Sequence, residues 1–124
     1  METITDLIKN VPIPKMVKIR ERYDESHIPA DKIAETVTEQ LSRDVIASRI
    51  QPGMRIAITC GSRGIANIAI IVRAIVDFVK ECGANPFVFP AMGSHGGATP
   101  EGQLEVLRSY HVTEETMGDR KSVV

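Results

Sequence analysis

Apolar residues recur along this chain with two different periods, and the switches between them mark out the elements. In residues 16–20 (Met-Val-Lys-Ile-Arg) apolar and charged positions alternate, the period of a half-buried strand. Before it stand Val11-Pro12-Ile13-Pro14, two prolines two apart, which favour an extended arm and block helix. A polar loop covers 23–29. From Asp31 the period lengthens. Ile33, Val37, Leu41 and Val45 recur every four residues, with Glu35, Glu39 and Arg43 between them, and predict an amphipathic helix ending near Arg49. Pro52-Gly53 forces a turn. Residues 54–60 (Met-Arg-Ile-Ala-Ile-Thr-Cys) are a short, mostly apolar run, as in a strand covered on both faces.

The strongest periodicity follows. Ile68, Ile71, Val72, Ile75, Val76 and Val79 mark one helical face, Arg73, Asp77 and Glu81 the other, and Gly83 stands at the position of a C-terminal cap. The β-branched content lowers helix propensity, so packing on a sheet must hold this segment. Residues 86–92 predict a second buried strand flanked by prolines. A shorter helix then starts at Thr99 as N-cap with Pro100 in its first turn and Leu104, Val106 and Leu107 inward. Strand and helix alternate three times, which predicts an α/β fold: an open, mainly parallel Rossmann-like sheet with βαβα order, part of a larger domain. The chain divides into an N-terminal arm and first strand (1–29), an α/β portion (30–118) and a polar tail (119–124). Three strands leave open sheet edges, so a homo-oligomer or a further C-terminal portion is expected to cover them.

Composition narrows the function classes. The 124 residues are 43% hydrophobic, 25% charged and 4% aromatic, enough apolar mass for one packed domain and too much for a disordered chain. Lys+Arg 15 against Asp+Glu 16 gives a net charge of -1, without the basic footprint that duplex nucleic acid requires. No apolar run reaches the ~20 residues of a membrane span, and residues 1–6 lack the basic start of a secretory signal. Two cysteines, Cys60 and Cys82, make no disulfide framework, so the cytoplasm is the expected compartment.

The candidate chemistry lies in an echo. Strand 54–60 runs into Gly61-Ser62-Arg63-Gly64, and strand 86–92 into Gly93-Ser94-His95-Gly96-Gly97. Both place Gly-Ser-(basic)-Gly at the carboxyl end of a strand, about one βαβ unit of roughly 30 residues apart. Parallel neighbouring strands would open both loops on the sheet edge where α/β folds bind ligands. The glycines let backbone amides approach a ligand, and the following helix starts favour an anion. Ser62 and Ser94 add hydroxyls, Arg63 a planar fork for a carboxylate, and His95 a group that exchanges protons near neutral pH. Together they suit a small anion bearing an exchangeable proton. Glycine also serves tight strand-to-helix turns with no ligand in mind, and His95 could be a solvated turn residue. The loops match neither the dinucleotide fingerprint nor the Gly-Lys-Ser/Thr phosphate loop, and no His/Cys cluster has zinc spacing. His27 and His111 read as surface or helix-end residues, Cys60 as a small buried hydrophobe, Cys82 as a helix-end residue, and Glu114-Glu115 as a solvated face.

These motifs, with Thr99-Pro100-Glu101 after them, resemble the N-terminal part of the lactate racemase family, whose members use a nickel-pincer nucleotide. That family shows a strand ending in Asp-x-Thr-Arg-Pro and, one βαβ unit later, Gly-Thr-His-Arg-Pro before a short acidic helix. The resemblance covers roughly residues 51–118. It implies that Arg63 engages a substrate carboxylate and that Ser62 takes the place of the motif threonine, with Ser94 beside it on the substrate. It implies that His95 is the first of two acid/base histidines acting on the substrate hydroxyl while hydride passes to the cofactor. Gly61, Gly64, Gly93 and Gly96 would bring backbone to that cofactor. Cys60, Gly64 and Gly96 replace the family's aspartate, proline and arginine. The second histidine, the cofactor-anchoring lysine and the nickel-ligating histidine have no counterpart, since His111 and Lys121 lie outside any matching motif. The implied function is racemisation or epimerisation of a 2-hydroxy acid, with this chain the front half of the site and inactive alone. The alternatives are a non-catalytic module binding a nucleotide or small carboxylate, and a subunit that completes a sheet with a partner.

Overall fold

In a computed structural model, which describes residues 3–12 and 14–118, the chain is a mixed α/β structure. Its sheet has two parallel strands, β1 (Arg55–Cys60) and β2 (Asn85–Pro90), in register from Arg55 opposite Asn85 to Cys60 opposite Pro90. Five α-helices are found among the described residues: α1 (Ile4–Ile8), α2 (Ile33–Leu41), α3 (Asp44–Ala47), α4 (Ile68–Glu81) and α5 (Pro100–Ser109). Single turns of 3₁₀ helix precede α2 at Ala30–Lys32 and α5 at His95–Ala98.

The crossover helix α4 forms where the periodicity predicts it. Val72, Val76 and Val79 of the predicted stripe are buried, joined by Ala74 and Phe78, while Ile71 and Ile75 turn toward α2. Being apolar on two sides, α4 is held between the sheet and α2. Its end is stopped by Gly83 in a left-handed conformation (φ +75°). The Gly83 N–H reaches Lys80 O at 2.8 Å and the Ala84 N–H reaches Val79 O at 3.1 Å, the paired bonds of a glycine-terminated helix. At α5 the Thr99 side chain accepts from the Gly102 N–H and Pro100 occupies the first turn, both as read from the sequence.

One cluster forms the core: Ile58 and Cys60 from β1, Val88 from β2, Val72 and Val76 from α4, Leu107 from α5, and Met92, Val112 and Met117 from the connecting segments. Leu107, Val76, Val88 and Val112 are fully buried, each contributing about 1.5–3 kcal/mol of apolar transfer. The chain after α5 is tied back onto α4 by Arg73 Nη1 donating to Thr116 O at 2.8 Å and by Lys80 Nζ donating to Met117 O at 3.3 Å.

Several expectations are corrected. Residues 16–20 form no strand: they pair with no neighbour and are exposed, Met16 by 86%, because strand periodicity yields a strand only where a neighbour supplies the ladder. The described sheet therefore has two strands rather than three. The arm is not extended throughout, since α1 forms ahead of Pro12, nucleated by a capping box between Thr3 and Asp6. The helix predicted from Asp31 to Arg49 breaks at Arg43, whose backbone is extended (ψ 136°). A strict four-residue repeat drifts around a helix of 3.6 residues per turn, so Val45 has left the buried stripe and is exposed. Neither strand is covered on both faces. In β1 only Ile58 and Cys60 are buried, while Arg55, Ala57 and Thr59 face outward, since the core joins α4 and α5 to the face bearing Ile58, Cys60 and Val88. The tail at 119–124 lies outside the described residues.

Candidate functional site

Parallel pairing of β1 and β2 places their carboxyl ends side by side, as Ala91 N–H donating to Cys60 O at 2.8 Å records. The two glycine-containing loops leave from there. Between them lies an open groove of about 510 Å³ whose lining includes Gly61, Ser62, Arg63, Gly93, Ser94 and His95. Six of the eight residues singled out for ligand contact thus share one surface, although 33 positions of chain separate Ser62 from His95. The other two, Gly64 and Gly96, are not part of its lining.

The side chains divide the work. Ser62 Oγ and His95 Nδ1 are in direct hydrogen-bonding contact across the two loops. Arg63 is exposed and makes no ion pair among the described residues, so its guanidinium fork is available to an anion. Ser94 is exposed beside it, its hydroxyl capping nothing in the turn that follows. Cys60, the last residue of β1, is 1% exposed in the core, and burial pushes its thiol up from the ordinary value, so it packs there as a neutral apolar side chain. Cys82, half-buried, terminates α4; His27 and His111 are exposed and far along the chain from the groove, and Glu114 and Glu115 are solvated, as expected.

The glycines have different roles. Gly64 and Gly93 adopt positive φ (+58° and +59°) in open space, leaving their backbone accessible to a ligand. Gly96 (φ +61°) instead packs backbone to backbone on Gly102 in the first turn of α5, and a Cβ on either would fall inside the other. That crossing explains the absence of a side chain at Gly96 by packing alone.

Two residues outside the motifs complete the arrangement, both on or just past α5. The Tyr110 hydroxyl donates to Ser62 O at 3.0 Å, and Gln103 Nε2 donates to Gly93 O at 2.7 Å. Sequence reading missed them because neither carries a motif; the only signal was their place on the inward side of the helix that follows the second loop.

The groove offers no lysine and no second histidine, and no group of three or more His, Cys, Asp or Glu able to hold a metal ion is found among the described residues. These residues alone do not fit the tethering and nickel ligation that the resemblance implies. What they do offer is an anion fork, two hydroxyls, accessible backbone and one imidazole. Comparison with family models, with curated proteins and with solved structures finds no match to this chain.

Proposed function

We propose that the paired loops form one wall of a site for a small 2-hydroxy acid, as the lactate racemase resemblance implies, and that the chain is the front portion of a racemase or epimerase. The observation that carries this reading is the convergence of Arg63, Ser62 and His95 on one groove from two loops far apart in sequence. In it the Arg63 fork and the Ser94 hydroxyl take the substrate carboxylate, and the His95 imidazole takes the proton of the 2-hydroxyl and returns it. The nickel-pincer nucleotide belongs to the proposal only as a group held by residues outside this groove. The finer architecture belongs to it too: a larger Rossmann-like open sheet that extends these two strands. The test is the interconversion of D- and L-2-hydroxy acids by a full-length version of the protein, since this chain is expected to be inactive alone, followed by chiral chromatography with the nickel-pincer nucleotide supplied. His95→Gln is expected to abolish interconversion with the fold intact by circular dichroism, and undiminished turnover in that variant rejects the role of His95.

A second reading, a module that binds a small carboxylate or nucleotide without chemistry, is favoured by the single imidazole in the groove. Arg63-dependent binding without any isomerisation supports it.

A further inference from the structure

We infer that the site takes monocarboxylic 2-hydroxy acids whose apolar side chain is longer than that of lactate, and that Ile65 is the residue that selects for it. This deepens the proposed function and rests on its reading of Arg63 as the carboxylate fork. Besides its polar groups, the groove is lined by Ile65, Ala91 and Met92. Met92 belongs to the core, which accounts for it without a ligand. Ile65 has no such account. It is 54% exposed, the most exposed large apolar side chain beyond Val45 among the described residues, and it stands outside the core cluster. A scattered exposed aliphatic residue is ordinary on a surface. This one lines the same groove as Arg63, two positions before it in the chain.

Charge narrows the ligand further. Arg63 is the only Lys or Arg in that lining, and the lining has no Asp or Glu. One guanidinium fork pairs with one carboxylate. A second carboxylate, on the ligand's side chain, would meet hydroxyls, imidazole, backbone and aliphatic carbon, and would lose water without gaining a second fixed cation. An aliphatic side chain gains there instead, because it covers Ile65 and both apolar surfaces leave water. At about 510 Å³ the groove is of a size that holds ligands well above lactate. In this scheme Arg63 fixes the carboxylate end and Ile65 decides which side chain is preferred.

Calorimetric titration of the chain with lactate, 2-hydroxybutanoate, 2-hydroxypentanoate and 2-hydroxyhexanoate tests this, with malate as the matched acid bearing a second carboxylate. Affinity is expected to rise by roughly two- to fourfold for each methylene added, and malate to bind more weakly than 2-hydroxybutanoate. Ile65→Ser should flatten the series while the fold and the Arg63-dependence of lactate binding are kept, and Ile65→Val should retain most of the gain. An affinity that does not rise with chain length, malate binding as tightly as 2-hydroxybutanoate, or a gain that survives Ile65→Ser overturns the inference. Lactate binding with a flat series rejects the inference alone, whereas failure of every acid to bind rejects the proposed function with it.

Discussion

Arg63 and Cys60 stand three residues apart at the end of β1, and their opposite environments give opposite expectations. Arg63 is exposed and unpaired among the described residues, so replacing it should leave the fold alone and cost only ligand affinity. A charge-assisted pair of hydrogen bonds contributes about 1.5–3 kcal/mol, so Arg63→Ala should weaken carboxylate binding by roughly tenfold or more, measured by titration calorimetry, with the melting temperature unchanged. Cys60 is the reverse. Burial raises its thiol above the ordinary value, so the unfolded chain ionises Cys60 near about pH 8.5 while the folded chain does not. Its contribution is full below that pH and falls as pH rises through it. The difference in thermal stability between wild type and Cys60→Ala should therefore shrink on going from neutral pH to above about pH 8.5. Cys82, half-buried at a helix end, should alkylate in the native protein before Cys60 does.

At the scale of elements, the loops and α5 act together, and the glycines show which positions matter to that unit. Gly96→Ala meets both a positive φ and the backbone of Gly102, and should cost about 1–3 kcal/mol or more in denaturant midpoint. Gly61→Ala meets only Ala91 O at 3.9 Å without positive φ, and should stay within about 0.5 kcal/mol of wild type. Sequence reading treated these two glycines alike, because a Gly-rich loop does not say which glycine is needed for a ligand and which for a crossing helix. It did find β1, β2, α4 and α5, with the Gly83 and Thr99 caps, since each of these is encoded by local periodicity and local capping. It missed the Tyr110 and Gln103 ties, which depend on where α5 lies in space. It drew a strand at 16–20 because alternation is local, whereas a ladder needs a partner.

For the whole molecule, the unpaired edges carry the next expectation. Asn85 and Ala91 donate toward β1, so in the parallel ladder the backbone groups of residues 86, 88 and 90 point outward. Two of those three are prolines, Pro86 and Pro90, and lack an N–H, which blunts that edge of β2. Further strands of a larger sheet are therefore expected beside β1, where Ala57 and Thr59 offer free N–H groups. In hydrogen exchange of the isolated chain those two amides should exchange faster than Ile56 and Ile58, whose amides face β2; equal protection of all four would mean that the β1 edge is already covered. No helix among the described residues is long and apolar enough to cross a membrane. The exposed apolar side chains of the arm, Met16, Val17 and Ile19, belong to this same scale, being a strand pattern without a neighbour. The central claim, that the Arg63–His95 wall recognises a 2-hydroxy acid, is tested most directly by calorimetric titration of the chain with lactate, and with propionate as the matched acid lacking the hydroxyl. The account expects lactate to bind, Arg63→Ala to weaken that binding by roughly tenfold or more, and propionate to bind more weakly than lactate. Equal affinities for the two acids, or lactate binding that Arg63→Ala leaves unweakened, would contradict it.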